Sequence, residues 1–178
     1  MALLTRYRAR RAMLLGILAC GICRAQAFNE YQVKAAFLYT FAKFVEWPPE
    51  AFSGPSTAMT ICVLGDDPFG RFLDDAVSGK TVGDRRLSIS RIAEFSAGRD
   101  CKILFIAASE RRRMASLLAS IPPGVLTVGD TPEFATQGGV IALRLEGERI
   151  RLSVNLTAAE KAHLRVSSRL LSLATIIK

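Results

Sequence analysis

The reactive side chains in this 178-residue chain are few and widely separated. There is one histidine, His163. A lone imidazole with no Cys, His or carboxylate at ligand spacing does not make a metal site, so His163 reads as an ordinary surface or half-buried helix residue. No Gly-x-Ser-x-Gly elbow, Walker loop or Gly-x-Gly-x-x-Gly turn occurs. Asp66-Asp67 follow a short apolar strand, as the acid pair of a phosphoacceptor site would. Such a site also needs an aspartate ending a middle strand, and Ala107-Ala108-Ser109 stands there instead. Asp67 is better read as the N-cap of a helix that begins at Pro68. These residues give no catalytic set, no metal ligands and no cofactor, so the chain reads as a non-enzyme.

Cysteine chemistry is the next candidate. Cys20-Gly-Ile-Cys23 has the spacing of a redox dithiol. It lies, however, inside a 27-residue leader with the layout of a secretory signal peptide: basic MALLTRYRARR, apolar AMLLGILACGIC, and Ala25-Gln26-Ala27 as a small-x-small cleavage site. The apolar run is too short to span a bilayer, which takes about 20 residues. Residues 1–27 are therefore expected to be removed, leaving 28–178 as a single domain in the periplasm. Two cysteines then remain, Cys62 and Cys101. In an oxidising compartment they read as one disulfide, or as two buried free thiols. Cleavage also removes five of the 24 Lys/Arg, leaving 19 against 16 Asp/Glu, a balance of +3. That is too small to argue for nucleic acid.

The most suggestive polar residues are arginines. "VIALRLEGERIRLSVNL" reads as a hairpin turning at Glu146-Gly147. In that register Arg144 faces Arg149. Ile141, Leu143, Leu145, Ile150, Leu152 and Val154 share one face; Arg144, Arg149, Arg151, Ser153 and Asn155 share the other. Like charges directly opposite destabilise a sheet. Either Glu146 and Glu148 relieve them, or the patch awaits an acidic partner or small anion, since guanidinium forks suit carboxylates.

The elements that must position these residues alternate along the chain. Strands are expected at Thr60–Leu64, Arg86–Ile92, Lys102–Ala107 and Val125–Val128. Helices are expected after Asp67, over Ser109–Ile121 with Ser109 as cap, briefly from Thr131, after a Thr157–Glu160 capping box, and over Ser167–Ile177. The run Lys102–Ala107, KILFIA, is continuously apolar after its lysine, as in a central strand covered on both faces. The expected fold is α/β: a layered sandwich with a mostly parallel central sheet flanked by helices, then a C-terminal β-hairpin and helices. Glu30–Trp47 is expected to be a helix closing one side of the sheet, with Val33, Phe37, Phe41 and Phe44 inward and Gln32, Ala36, Tyr39, Lys43 and Glu46 outward. Lys34 falls among the phenylalanines, where Glu30 one turn earlier can pair with it. The Trp47-Pro48 end is the part left for a partner.

Two long stretches, EYQVKAAFLYTFAKFVEWP and GGVIALRLEGERIRLSVNLTAAEKAHLRVSSRLLSLA, resemble the two ends of the YfiR family. ICVLGDDPFG and CKILFIA hold Cys62 and Cys101 where that family commonly has a bridged pair. The resemblance spans residues 29–175. It implies a periplasmic α/β protein, often a homodimer and without known catalysis. By it, Cys62 and Cys101 are the bridge. It further implies repression of a membrane-bound diguanylate cyclase through that enzyme's periplasmic region, relieved when an OmpA-like outer-membrane lipoprotein sequesters the repressor. The well-understood member has a second cysteine pair in its C-terminal half. This chain has none there, which removes the basis for redox sensing through that pair.

We place the expected partner interface on Arg144, Arg149 and Arg151, on Ser167, Ser168 and Arg169, and on Trp47. The rival expectation is a small-ligand sensor using the carboxyl ends of strands near Gly65-Asp66 and Gly129-Asp130. A disulfide oxidoreductase is disfavoured by the lack of a Cys-x-x-Cys beyond the leader.

Overall fold

The computed structural model describes residues 29–54, 56–96 and 100–178. The leader, 1–27, and its Cys20-x-x-Cys23 lie outside the described residues. The fold begins with a cap: Asn29 Oδ1 accepts from the Gln32 amide, and α1 runs Glu30–Phe44. This helix is shorter than expected. Val45 turns extended, and β1 (Val45–Glu46) pairs antiparallel with Arg165–Val166. A β-branched residue favours that change, and the waiting strand satisfies its backbone. Burial on α1 centres on Lys34, Ala35, Leu38, Phe41 and Ala42. The inward face is rotated from the expected phenylalanine stripe. The small Ala35 and Ala42 lie against the core, while Phe37 and Phe44 pack at its margins.

The remaining elements are β2 (Met59–Leu64), α2 (Arg71–Val77), β3 (Thr81–Val82), β4 (Arg85–Ile92), β5 (Ile103–Ile106), a 3-10 stretch (Ala108–Arg113) running into α3 (Met114–Ser120), β6 (Leu126–Gly129), β7 (Ile141–Glu146), β8 (Arg149–Asn155), α4 (Leu156–Lys161), β9 (Arg165–Val166), α5 (Ser168–Leu171) and β10 (Ala174–Ile177). Eight strands form one sheet in the order β10-β8-β7-β6-β5-β2-β4-β3. Neighbours from β4 through β2, β5 and β6 to β7 are parallel. β7–β8 and β3–β4 are antiparallel, and β10 runs parallel to β8. The α/β sandwich with a mostly parallel central sheet is therefore correct.

Both sheet faces are buried, as the apolar strands require. On one face Ile61, Val63, Ile103, Phe105, Leu126, Val128, Ile141 and Leu143 pack with α1 and α2. On the other Cys62, Leu64, Leu104 and Ile106 pack with Met114, Leu117 and Phe134. Cys62 of β2 and Cys101, just before β5, are joined as a disulfide, with Cα atoms 5.7 Å apart. Both cysteines are buried in the second cluster.

Several local expectations are corrected. Asp67 does not cap α2. Its Oδ1 accepts from the Phe69 amide two residues on, making a turn, and the helix starts at Arg71 after Gly70 at φ +50°. Ser109 caps no helix either. Its Oγ accepts from the Asp66 amide and ties the ends of β2 and β5 together. Residues 131–139 form turns instead of a helix, because Phe134 folds over Gly129 and Gly139. A Cβ on those glycines would lie 2.3 Å and 2.1 Å from its ring. Asn155, not Thr157, caps α4 by accepting from the Ala158 amide at 2.8 Å. The long C-terminal helix is a single turn followed by β10. Thr175, Ile176 and Ile177 are β-branched, and β8 offers them a ladder. Among the described residues no helix is long and apolar enough to cross a membrane.

Candidate partner-binding surface

Backbone geometry presents the hairpin arginines. β7 and β8 join through Gly147-Glu148, with Gly147 at φ +61°. A positive φ at the first central residue is the type II′ pattern that matches strand twist. The turn therefore sits one residue later than expected. Glu146 faces Arg149, and Arg144 faces Arg151, not Arg149. Partners shift by two positions, so every side chain keeps its face. Arg144, Arg149 and Arg151 are all exposed on the polar face. Glu146 lies between two of them, 3.7 Å from Arg144 and 3.5 Å from Arg151. Arg149 makes no ion pair among the described residues. One carboxylate thus serves two guanidiniums and leaves the third without an ion pair.

The other expected contacts lie around the β1–β9 pair. Ser167 donates its amide to the Phe44 carbonyl, and its Oγ accepts from the Leu170 amide as the cap of α5. Ser168 and Arg169 are exposed. Trp47 is half-buried against the core, with its indole Nε1 enclosed and without an acceptor. Ser167 and Trp47 are thus integrated into the structure, while Ser168 and Arg169 point to solvent. The register of β10 on β8, starting at Ala174 beside Leu152, brings the end of α5 towards the hairpin.

The ligand crevice expected at the strand ends is largely filled. In the order β4-β2-β5-β6-β7, the chain switches direction between β2 and β5, where doubly wound sheets bind ligands. Here a Cβ on Gly65 would lie 2.5 Å from Ser109 Oγ. A shallow depression remains, lined by Asp66, Arg91 and Glu110. Arg91 is held by Asp67 at 2.6 Å and Asp74 at 2.7 Å, and Glu110 pairs with Arg113. The Arg91 hydrogen bond holds the Asp74 carboxyl below its usual range. At the end of β6, the Asp130 carboxylate is turned inward, with its side chain 6% exposed. Its Oδ2 accepts from Lys34 Nζ at 2.7 Å and Tyr31 OH at 3.0 Å, while Oδ1 has no partner. Lys34 also pairs with Glu30, as expected. Burial first, and the Asp130 charge second, push the Tyr31 phenol well above its ordinary range. The Asp130 contact had no local signal, since 96 residues separate it from Lys34. The hint was a lysine among phenylalanines.

His163 is not part of a helix. It sits at φ +57° just after α4, where its amide bonds Glu160 O and the Leu164 amide bonds Ala159 O. That is a Schellman ending, with histidine in the place glycine usually takes. Among the described residues no group of three His, Cys, Asp or Glu side chains is arranged to hold a metal ion.

No curated protein matches this chain. The crystal structure of a conserved domain protein from Vibrio cholerae O1 biovar eltor str. N16961 superposes with a TM-score of 0.48 at 12% identity, covering 67% of this chain and 55% of that chain. The profile of the YfiR/HmsC-like family matches residues 31–175, from the first turn of α1 into β10, so the chain belongs to the YfiR/HmsC-like family.

Proposed function

We propose that this protein is a periplasmic repressor that holds a membrane-bound diguanylate cyclase inactive by binding that enzyme's periplasmic region, with no chemistry of its own. The family is regulatory rather than catalytic and points to cyclic-di-GMP signalling in the periplasm. The observation that carries a protein-surface role is the hairpin. Of three exposed guanidiniums on one face of the hairpin, two share a single carboxylate and the third makes no ion pair among the described residues. Such forks recognise carboxylates, so the partner contributes acidic side chains. An OmpA-like outer-membrane lipoprotein that sequesters the repressor, and a homodimer, complete the reading, with residues 1–27 as the secretory leader and 28–178 as one domain. Nucleic acid has no place in it.

The test is charge reversal. Arg144→Glu/Arg149→Glu should abolish co-purification with the periplasmic region of the cyclase and raise cellular cyclic-di-GMP, with the circular dichroism spectrum unchanged. Undiminished partner capture would sink the assignment. So would unaltered cyclic-di-GMP in a deletion strain.

A second reading, a small-ligand sensor serving another membrane signalling protein, has one supporting observation. A cleft of about 210 Å³ lies between the end of α3, Pro122-Pro123 and α4, with apolar Leu118, Ile121 and Val125 and the basic Lys161 in its lining. Those walls suit a small carboxylate. Thermal-shift screening of small carboxylic acids tests it, and no stabilisation by any of them would count against it.

A further inference from the structure

We infer that β10 is a docking edge for an extended, acidic segment of a partner chain, added as one more strand outside the sheet. This rests on the reading that the protein acts through a protein surface, and it states where and what kind of segment is held. Three independent observations converge on the β7–β8–β10 corner.

The first is apolar exposure. Leu145 is 43% exposed, Leu173 72% and Ile176 39%, and these are the large hydrophobic side chains left exposed among the described residues. All three lie on the hairpin tip or on β10 and the turn before it. Leu173 and Ile176 lie just before and within β10 itself, and apolar surface left in water there favours a partner that covers it.

The second is the backbone. β10 ends the sheet order among the described residues. It pairs on one side only, in unbroken register from Ala174 beside Leu152 to Ile177 beside Asn155. Its other row of amides and carbonyls has no hydrogen-bond partner among the described residues. Edge strands commonly discourage pairing with a charge, a proline or a bulge. Ala174-Thr175-Ile176-Ile177 has none of these.

The third is charge. Arg149 and Arg151 lie on the adjacent β8, with Arg144 one strand further, and Lys178 follows β10. Among the described residues Glu146 alone pairs with any of them, with Arg144 and Arg151. The charge argument selects the occupant. An occupant carrying carboxylates offsets this positive excess, whereas a second copy of this chain would bring the same excess again. Side chains alternate across a strand. The segment therefore presents apolar residues on the side of Ile176 and Leu145, and acidic residues on the side of Arg149 and Arg151. Main-chain hydrogen bonds to the edge supply the rest, as in other cases of strand addition.

The test uses the mature chain and a fluorescein-labelled, acetylated peptide of repeating Glu-Val. Anisotropy should show saturable binding, and hydrogen exchange at residues 174–177 should slow. A peptide of the same sequence with alternate amides N-methylated keeps its charge but cannot form a ladder, and should bind at least about tenfold more weakly. Leu173→Asp, at a solvent-exposed position, and Arg149→Glu/Arg151→Glu should each weaken binding by about tenfold or more, since opposed like charges cost several kcal/mol. Equal binding of the methylated peptide overturns the proposal. So does no binding of the parent peptide, or dimerisation that protects residues 174–177 and is lost in Leu173→Asp. The same variants against the cyclase's periplasmic region separate the two readings. Capture by the parent that survives Leu173→Asp but is lost in Arg149→Glu/Arg151→Glu sinks the edge and keeps the repressor. Peptide binding without capture of the cyclase region keeps the edge and sinks the repressor.

Discussion

Replacing Lys34 by methionine tests how α1 is held to the sheet. Lys34 is 1% exposed and Asp130 has 6% of its side chain exposed. Methionine preserves much of the lysine stem's volume, so the cavity term is small. What changes is charge. Asp130 then keeps only the Tyr31 hydroxyl at 3.0 Å, and its Oδ1 is already without a partner. Removing one member of a buried ion pair costs about 3–5 kcal/mol, because the other charge stays buried. Whole domains are stable by only about 5–15 kcal/mol, so the loss is a large share. At about 2–4 °C per kcal/mol for a chain of this size, the melting temperature should fall by roughly 6–20 °C. Lys34→Met/Asp130→Asn should recover most of it, since asparagine carries no charge and still accepts from Tyr31. The assay is urea unfolding followed by circular dichroism, comparing midpoints at constant slope. A loss below about 1 kcal/mol would refute the reasoning, because the pair would then behave as a surface pair. So would a double variant as unstable as the sum of the singles, because the two charges would then not be coupled.

The Cys62–Cys101 bridge closes a 39-residue separation, so the chain-entropy relation gives about 4 kcal/mol lost in Cys62→Ala/Cys101→Ala. Because both cysteines are buried, thiol titration of the native protein in mild reductant should find no free thiol until denaturant is added. His163→Gly should raise stability by about 0.5–1 kcal/mol, as relief of left-handed strain exceeds the extra unfolded-state entropy; a lowered midpoint would show that the imidazole contributes more than the backbone position suggests. Asp74 titrates below the usual carboxylate range because of its hydrogen bond to Arg91. Its folded form favours the charged state, so its small stabilisation is present above the unfolded pKa and lost as pH falls through the folded one. NMR titration should show the Asp74 midpoint rising in Arg91→Gln.

Residues whose role is local were the most legible. The hairpin faces were readable because a period of two survives even a two-residue shift in partners. The buried run at Lys102–Ala107 announced a central strand by being apolar on both sides. Legibility failed where a distant contact competed with local preference. Ser109 and Asp67 have the chemistry of helix caps, yet one ties two strand ends and the other makes a turn. Ser167–Ile177 has helical spacing in its first half only. The second half pairs with β8, which sequence spacing alone does not announce. That error concealed the edge strand, and with it the exposed Leu173 and Ile176.

The sequence by itself determined the α/β alternation, the two-faced burial, the family, the Lys34–Glu30 pair and the arginine-rich face of the hairpin. All of these follow from periodicity, charge and motif, which are local properties of a chain. Only the tertiary structure decided that Lys34 is also neutralised from the far end of β6, that Phe134 and Ser109 fill the crevices at Gly129 and Gly65, and that the chain runs into an edge strand. Those depend on which surfaces meet after the sheet has assembled. Residues 96 positions apart share a hydrogen bond there, and no local pattern records that proximity.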